Sequence, residues 1–440
     1  MSDSSGSLAP ARVTLINPPS APGTLANREG AAGMGVVYPA GERFLYPPHT
    51  LATVAAALRQ AGYSVQLLDL VVSPHDEAAL QADVICVLVS WATLQNDLDY
   101  IAALRAQTSA RILALGSSLR FIAAQVAEGC PADAVLVGEA EGCCVEAVEY
   151  VRTNPSDSPR ILTNHILRAA NCDGDGWTAD LAALPFPAWD LVPTSRYPLL
   201  SVFASKGCPD GCLYCPYSAA QGHRSRVRSI DSVVDEVAWL AHTFAPERVV
   251  FRDPVFAYQR ERVVGFCERL IHSRISLRWE CESRPEHFDA ELLQLMQRAG
   301  CTWVKIGLET TDPTVLAGLQ RIGSLGQAGD YLRHAAQVVE SCQRLGLGCR
   351  LFVLSGLPGQ DSAAARHTAD WVSAVRPTAL NVKALELYPG TLEASAPADT
   401  EQQMAILLAA RAEIMAAQRP RGLISRARSW LRQLRRRMAR

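Results

Sequence analysis

The chain is 440 residues long, 49% hydrophobic and 20% charged, enough for two or three domains with real cores, and it reads as soluble and globular. The opening MSDSSGSLAPAR has no apolar run and no segment approaches the ~18 consecutive apolar residues of a membrane span, so the expected location is the cytoplasm. Nine of the 42 basic residues fall within 419–440, which hold no Asp or Glu; the net charge of −2 therefore hides an acidic body, and no nucleic-acid partner is expected of it.

From 11 to 153, apolar runs at 13–16, 65–70, 84–90, 112–116 and 134–138 predict five buried strands. Helical patterns separate them. In 50–61, Leu51, Val54, Ala55 and Leu58 form a stripe that stops at Gly62. Regular alternation of this kind predicts a doubly wound, Rossmann-like parallel sheet, with ligands at the carboxyl ends of its strands, where the loops are rich in Gly, Ser and Pro. The first strand continues as NPPSAPG rather than GxGxxG, which disfavours NAD. Cys143 and Cys144 open a helix near this edge. His75, in SPHDEA, is expected to be a solvated loop histidine.

Residues 154–198, with NPSDSP, CDGDGW and LPFPAWDLVP, read as an ordered linker. A second alternation then begins. Strands are predicted at 200–205, 248–253, 276–281, 303–308, 349–355 and 379–387, six units where a full barrel has eight, so 199–395 is expected to be a partial (β/α)6 barrel open on one side. Its first strand runs into GCPDGCLYC. There Cys208, Cys212 and Cys215 make a CX3CX2C triad, matching a four-iron cluster with one iron left open, whereas electron-transfer clusters are closed by four cysteines. A zinc knuckle would need a second pair of hooks downstream, and none appears. In a reducing compartment the remaining ten cysteines are thiols rather than disulfides, most of them in or beside apolar runs.

The triad, Tyr214 before its third cysteine and the short apolar strand ahead of it resemble the radical S-adenosylmethionine (SAM) enzymes. The first half, with INPP after the first strand, YPPHTLATVAAALRQAGYSVQLLDL and VGEAEG after the fifth, resembles the cobalamin-binding domain that precedes the barrel in one class of that family, the class B methyltransferase-like enzymes. The resemblance implies a [4Fe–4S] cluster on Cys208, Cys212 and Cys215, with SAM chelated at the open iron. Asp253, Ser283, Arg284 and Glu309 are implied at the SAM site, and Arg284 is placed to pair with its carboxylate. Gly116, Ser117, Gly138 and Glu139 are implied at a cobalamin site, and the lack of DxHxxG implies a lower cobalt face without histidine. Arg252, Glu280 and Glu282 end barrel strands, with rim salt bridges as the competing role for the two glutamates. LFVLSGLPGQ (351–360) and YPGT (388–391) resemble the family's GLPGE and YPGT runs, and the first is implied beside adenine.

The implied reaction is methyl transfer to an unactivated carbon through a 5′-deoxyadenosyl radical and methylcobalamin. The alternatives are cobalamin-assisted cyclisation or oxidation, and a sensor or scaffold with an inactive barrel. The expected partners are a small-molecule or lipid substrate and an electron donor of flavodoxin or ferredoxin type. No GxSxG, HExxH or phosphate loop competes. The segment 396–440 is expected to be helical with a basic tail. As a helix, the tail lines up Ala427, Leu431, Leu434 and Met438 with arginines on its other sides, the pattern of an interfacial helix at a membrane; a solvated tail is the competing reading.

Overall fold

The structure, a computed structural model, describes residues 10–41, 44–73, 81–154, 159–392, 397 and 399–418. The chain opens with β1 (Arg12–Asn17), the hairpin β2 (Thr24–Asn27) and β3 (Val36–Pro39), α1 (His49–Gln60), β4 (Ser64–Asp69), β5 (Val84–Leu88), α2 (Leu94–Arg105), β6 (Arg111–Leu115), α3 (Leu119–Gly129), β7 (Ala134–Leu136), α4 (Ala140–Thr153), β8 (Arg160–Leu162) and the single turn α5 (Asn164–Leu167). The sheet order is β4-β1-β5-β6-β7-β8, every pair parallel. Strand alternation sorts the apolar residues onto two faces. Val13, Leu15, Val84, Cys86 and Leu113 pack with α1 and α4, whereas Ile16, Ile85, Val87, Ile112 and Ala114 pack with α2 and α3. The winding reverses between β1 and β5, which puts a ligand crevice at their carboxyl ends.

Two features escape the sequence pattern. The linker contributes β8, a sixth strand of the sheet, and the loop after β1 folds into the β2–β3 hairpin, each strand of which is only four residues. The ordered character of the linker has a visible cause: Ala188 N–H donates to Ala52 O of α1 at 2.8 Å, and Trp189 is fully buried.

The second unit consists of β9 (Leu200–Val202), β10 (Ser205–Lys206), α6 (Pro216–Gln221), β11 (Arg226–Val227), α7 (Ile230–Thr243), β12 (Val249–Phe251), α8 (Arg260–His272), β13 (Trp279–Ser283), α9 (Ala290–Arg298), β14 (Cys301–Glu309), α10 (Pro313–Gly318), α11 (Ala328–Leu345), β15 (Gly348–Ser355), α12 (Ser362–Val375), β16 (Ala379–Ala384) and α13 (Thr400–Ala417). Six parallel strands run β16-β15-β14-β13-β12-β9, the partial barrel expected. The first strand ends three residues early. Asp253 accepts from Ala204 N–H at 3.0 Å and Ser205 Oγ at 2.6 Å, drawing the backbone away, and Ser205–Lys206 pair antiparallel with Arg226–Val227 instead. The third strand is shifted to Trp279–Ser283 by its ladder with β14, where Trp279 faces Cys301 and Ser283 faces Ile306. The last stops at Ala384, after which Leu385 N–H turns back to Ser355 O. Helix α13 lies over α12 and β16, its Gln403 hydrogen-bonded to Gly356 and Gln360. Residues 419–440, and with them the expected interfacial helix, lie outside the described residues, as does His75.

Candidate active site

The β10–β11 ribbon clasps the base of the cysteine loop. Gly207 adopts φ +82°, and a Cβ there would lie 2.1 Å from Arg224 O, so only glycine passes this point. Cys208 N–H then bonds Gly222 O at 3.0 Å, and Cys215 sits immediately ahead of α6 with Pro216 in its first turn. The three cysteines face a cleft of ≈ 490 Å³ at the carboxyl ends of the barrel strands, shared with Tyr214, Tyr217, Glu282, Ser283, Arg284, Gly307, Glu309 and Arg321. Among the described residues no three Cys, His, Asp or Glu side chains converge as ligands of a single ion do. Three soft thiols on one wall fit separate corners of a cluster better than a zinc knuckle. Burial pushes the Cys208 thiol up to about 12. Arg284 Nη1 and Arg321 Nη1 reach Cys212 Sγ at 3.9 and 3.8 Å, so one half-buried and one buried cation converge on that sulfur.

The residues expected around SAM divide. Glu309, at φ +68°, lines the cleft, and burial pushes its carboxyl up to about 7 against the pull of Arg321. Gly307 leaves room for it, since a Cβ there would meet Glu309 Oε1 at 2.5 Å and push that carboxylate aside. Arg284 is turned toward the cysteine loop, paired with Glu286 at 2.7 Å and Asp210 at 3.3 Å. Ser283 Oγ faces His287 Nδ1 at 3.0 Å, and Asp253 holds the strand end described above. Arg321 was not legible in the sequence. It lies in no motif, and only the fold carries it under the triad.

On the first sheet, Gly116 (φ +147°) passes Val89 O so closely that a Cβ would sit 2.2 Å away, and Gly138 (φ +127°) passes Gly176 O with a Cβ at 2.7 Å. Ser117 lies against Gly33, and Ser90 against Gly35, in the loop that covers the strand ends. Met34 of that loop is fully buried and packs with Ala220 of α6, so the strand ends of the first sheet meet the helix that follows the cysteines. Glu139 points into the seam rather than the crevice. Arg226 grips both its oxygens at 2.7 and 2.8 Å, and Thr178 N–H donates at 2.9 Å. Burial would raise its carboxyl, yet Lys206 and Arg226 hold it at about 2. Of the two histidines within 1–153, the described one, His49, is buried and hydrogen-bonded to Ser201 at 3.1 Å.

A profile of the Radical SAM superfamily matches residues 202–372, which span β9 to α12 and include the triad. The chain contains a radical SAM domain. This domain and the sheet ahead of it together resemble TsrM, a radical SAM methyltransferase of Kitasatospora setae solved with cobalamin and a [4Fe–4S] cluster bound: TM-score 0.66, 19% identity, 87% of this chain and 73% of that one. In sequence, the chain is 24% identical over 213 residues to an uncharacterized methyltransferase of Pyrococcus horikoshii, covering 47% of this chain but only 45% of that protein. It is 23% identical over 365 residues to the hopanoid C-3 methylase of Methylococcus capsulatus, covering 78% of this chain and 67% of the methylase. The radical SAM domain thus accounts for the cysteine triad, and the TsrM likeness for the order of the two units. No described helix is long and apolar enough to cross a membrane.

Proposed function

We propose that the protein is a cobalamin-dependent radical SAM enzyme that transfers a methyl group to an unactivated carbon. The observation that carries this reading is three cysteines without a fourth, on a cleft at the carboxyl end of a partial barrel that is capped by a parallel sheet with a Gly- and Ser-rich strand edge. Cys208, Cys212 and Cys215 would hold a [4Fe–4S] cluster, the cleft beside Glu309 would take SAM, and the loops at Gly116, Ser117 and Gly138 would border cobalamin. When bound, these groups supply a carbon-centred radical and a methyl donor. The chain's own part is placement. Arg284 and Arg321 balance the thiolate charge, the β10–β11 ribbon fixes the triad, and the first sheet shields the cleft from water. An electron donor of flavodoxin or ferredoxin type would reduce the cluster, in the cytoplasm.

The test is anaerobic reconstitution with iron, sulfide and cobalamin. Single Cys208→Ala, Cys212→Ala and Cys215→Ala variants are expected to lose bound iron and 5′-deoxyadenosine formation together, while the parent forms both and methylates its substrate. A triple variant that still makes 5′-deoxyadenosine would overturn the reading. A product carrying no added methyl would move it to radical cyclisation or oxidation. The arginine-rich 419–440 segment would, on the same reading, bring the enzyme to anionic membrane surfaces. Co-sedimentation with anionic but not neutral vesicles at low salt, lost on truncation after Gln418, is the expected result.

A further inference from the structure

The inner wall of the barrel is charged, and its charges do not cancel. Strand alternation turns Cys281, Val304, Ile306, Leu308, Cys349, Leu351, Val353, Leu380 and Val382 toward the helices. The residues between them face the lumen, as three contacts confirm. Lys305 Nζ reaches Glu280 Oε1 on the neighbouring strand at 2.6 Å, Arg350 lies 5.2 Å over the Trp303 ring, and Arg252 lies 5.8 Å over the Phe203 ring. Lys305 and Arg248 share the Glu280 carboxylate, at 2.6 and 3.5 Å. Arg252, Arg350 and Lys383 have no such partner: among the described residues no carboxylate lies within ion-pair distance of any of them.

Arg252 is the decisive case. The residue is 4% exposed, its Nη2 donates to Glu29 O, and its Nε and Nη1 are buried with no acceptor among the described residues. A guanidinium with two buried unpaired donors is strongly disfavoured unless something in its cavity accepts from them. The Tyr46 ring lies 3.8 Å from the guanidinium carbon, a flat apolar surface beside the charge. Lys383 and Arg350 stand on the last two strands, where the lumen is open and Phe352 and Asn381 are also partly exposed. Glu282 lines the cleft from β13, and Lys383 on β16 and Arg252 at the end of β12 stand on either side of it in the sheet; burial raises the Glu282 carboxyl, and Lys305, Lys383 and Arg252 pull it back down.

We propose that the lumen between Arg252 and Lys383 binds the oxyanion of the substrate, a carboxylate or phosphate carried on a flat apolar body, and that a purely hydrocarbon lipid is not the substrate. This rests on the barrel being the active site proposed above. Charge-assisted bonds to an oxyanion would satisfy Nε and Nη1 of Arg252, while Tyr46 and Phe352 cover the apolar part.

The experiment uses the full chain, reconstituted anaerobically and saturated with SAM and cobalamin so that their own carboxylate and phosphate groups are already in place. Phenylacetate against phenylacetamide, and phenyl phosphate against phenol, are titrated by calorimetry. At least one anion is expected to bind about tenfold or more tighter than its neutral partner, an advantage erased in Lys383→Met and Arg252→Gln and kept in Lys383→Arg. The cluster absorbance and iron content of all variants should match the parent. Equal binding of each pair, or a preference that survives both neutralising variants, would overturn the proposal. Failure to hold iron or to form 5′-deoxyadenosine would instead overturn the reading beneath it, and is scored separately.

Discussion

Burying a guanidinium is costly unless its donors find acceptors, and Arg321 finds three: Tyr331 Oη at 3.1 Å, Gly307 O and Cys212 Sγ. A fixed positive charge beside a cluster thiolate favours the reduced, more negative state. Arg321→Met is therefore expected to lower the cluster midpoint potential by roughly tens of millivolts without removing iron, measured by redox titration of the electron paramagnetic resonance signal. Asp253 gives a different signature. Burial pushes its carboxyl up to about 6 despite bonds from Ser205 and Ala204. The folded chain then holds this proton more tightly than the unfolded chain, so the stability it contributes is full below about pH 4 and falls as pH rises through 6, by about 3 kcal/mol in all. Asp253→Asn is expected to flatten that part of the pH profile in urea unfolding of the cluster-free protein. It should also cost about 1–3 kcal/mol, because the amide offers one acceptor oxygen where the carboxyl accepts from both Ala204 N–H and Ser205 Oγ.

At the scale of elements, the cysteine loop depends on the short ribbon at its base. In Gly207→Ala the new Cβ would drive into a backbone carbonyl that cannot swing aside, at a φ that alanine resists. The expected result is a loss of about 1–3 kcal/mol together with reduced iron occupancy, since the strain falls on the residue before Cys208. Gly116→Ala meets Val89 O in the same way on the first sheet. It should lower cobalamin retention on gel filtration and leave iron content unchanged, a separation that would place the two cofactors on different elements.

Across the whole molecule the two units are pinned by buried ions. Lys206 reaches Glu141 at 2.8 Å and Glu139 at 3.9 Å, Arg226 grips Glu139, and the guanidinium groups of Arg120 and Arg226 lie over the Trp177 ring at 3.5 and 5.5 Å. Both cations belong to the β10–β11 ribbon and both acids to the loop and first turn after β7, so the ribbon that shapes the triad is tied to the strand edge of the other domain. Arg226→Met leaves Glu139 buried without its bidentate partner. It should destabilise by about 3–5 kcal/mol, read as a lowered thermal midpoint, and loosen cobalamin and cluster together. A fragment of 1–153 is expected to be less stable than one of 1–198, because it lacks β8 and the Trp189 anchor on α1.

The sequence alone determined the two alternations, the parallel sheet, the six-strand barrel and the triad. Each is written in local period or spacing: buried strands must be continuous apolar runs, helices must repeat near every third or fourth residue, and three cluster ligands on one loop must be close in sequence. It missed β8, whose three residues carry too little pattern to rise above a Pro-rich linker, and the clasp at Ser205–Lys206, which exists because Asp253, nearly fifty residues on, takes up the backbone N–H that would have continued the strand. Only the tertiary structure decided that Glu139 holds a seam, that Arg284 and Arg321 converge on Cys212, and that Arg252 is buried with two donors unpaired. Such roles depend on which side chains meet across distant segments, and a charge carries no mark in the sequence of the partner that will, or will not, be folded against it.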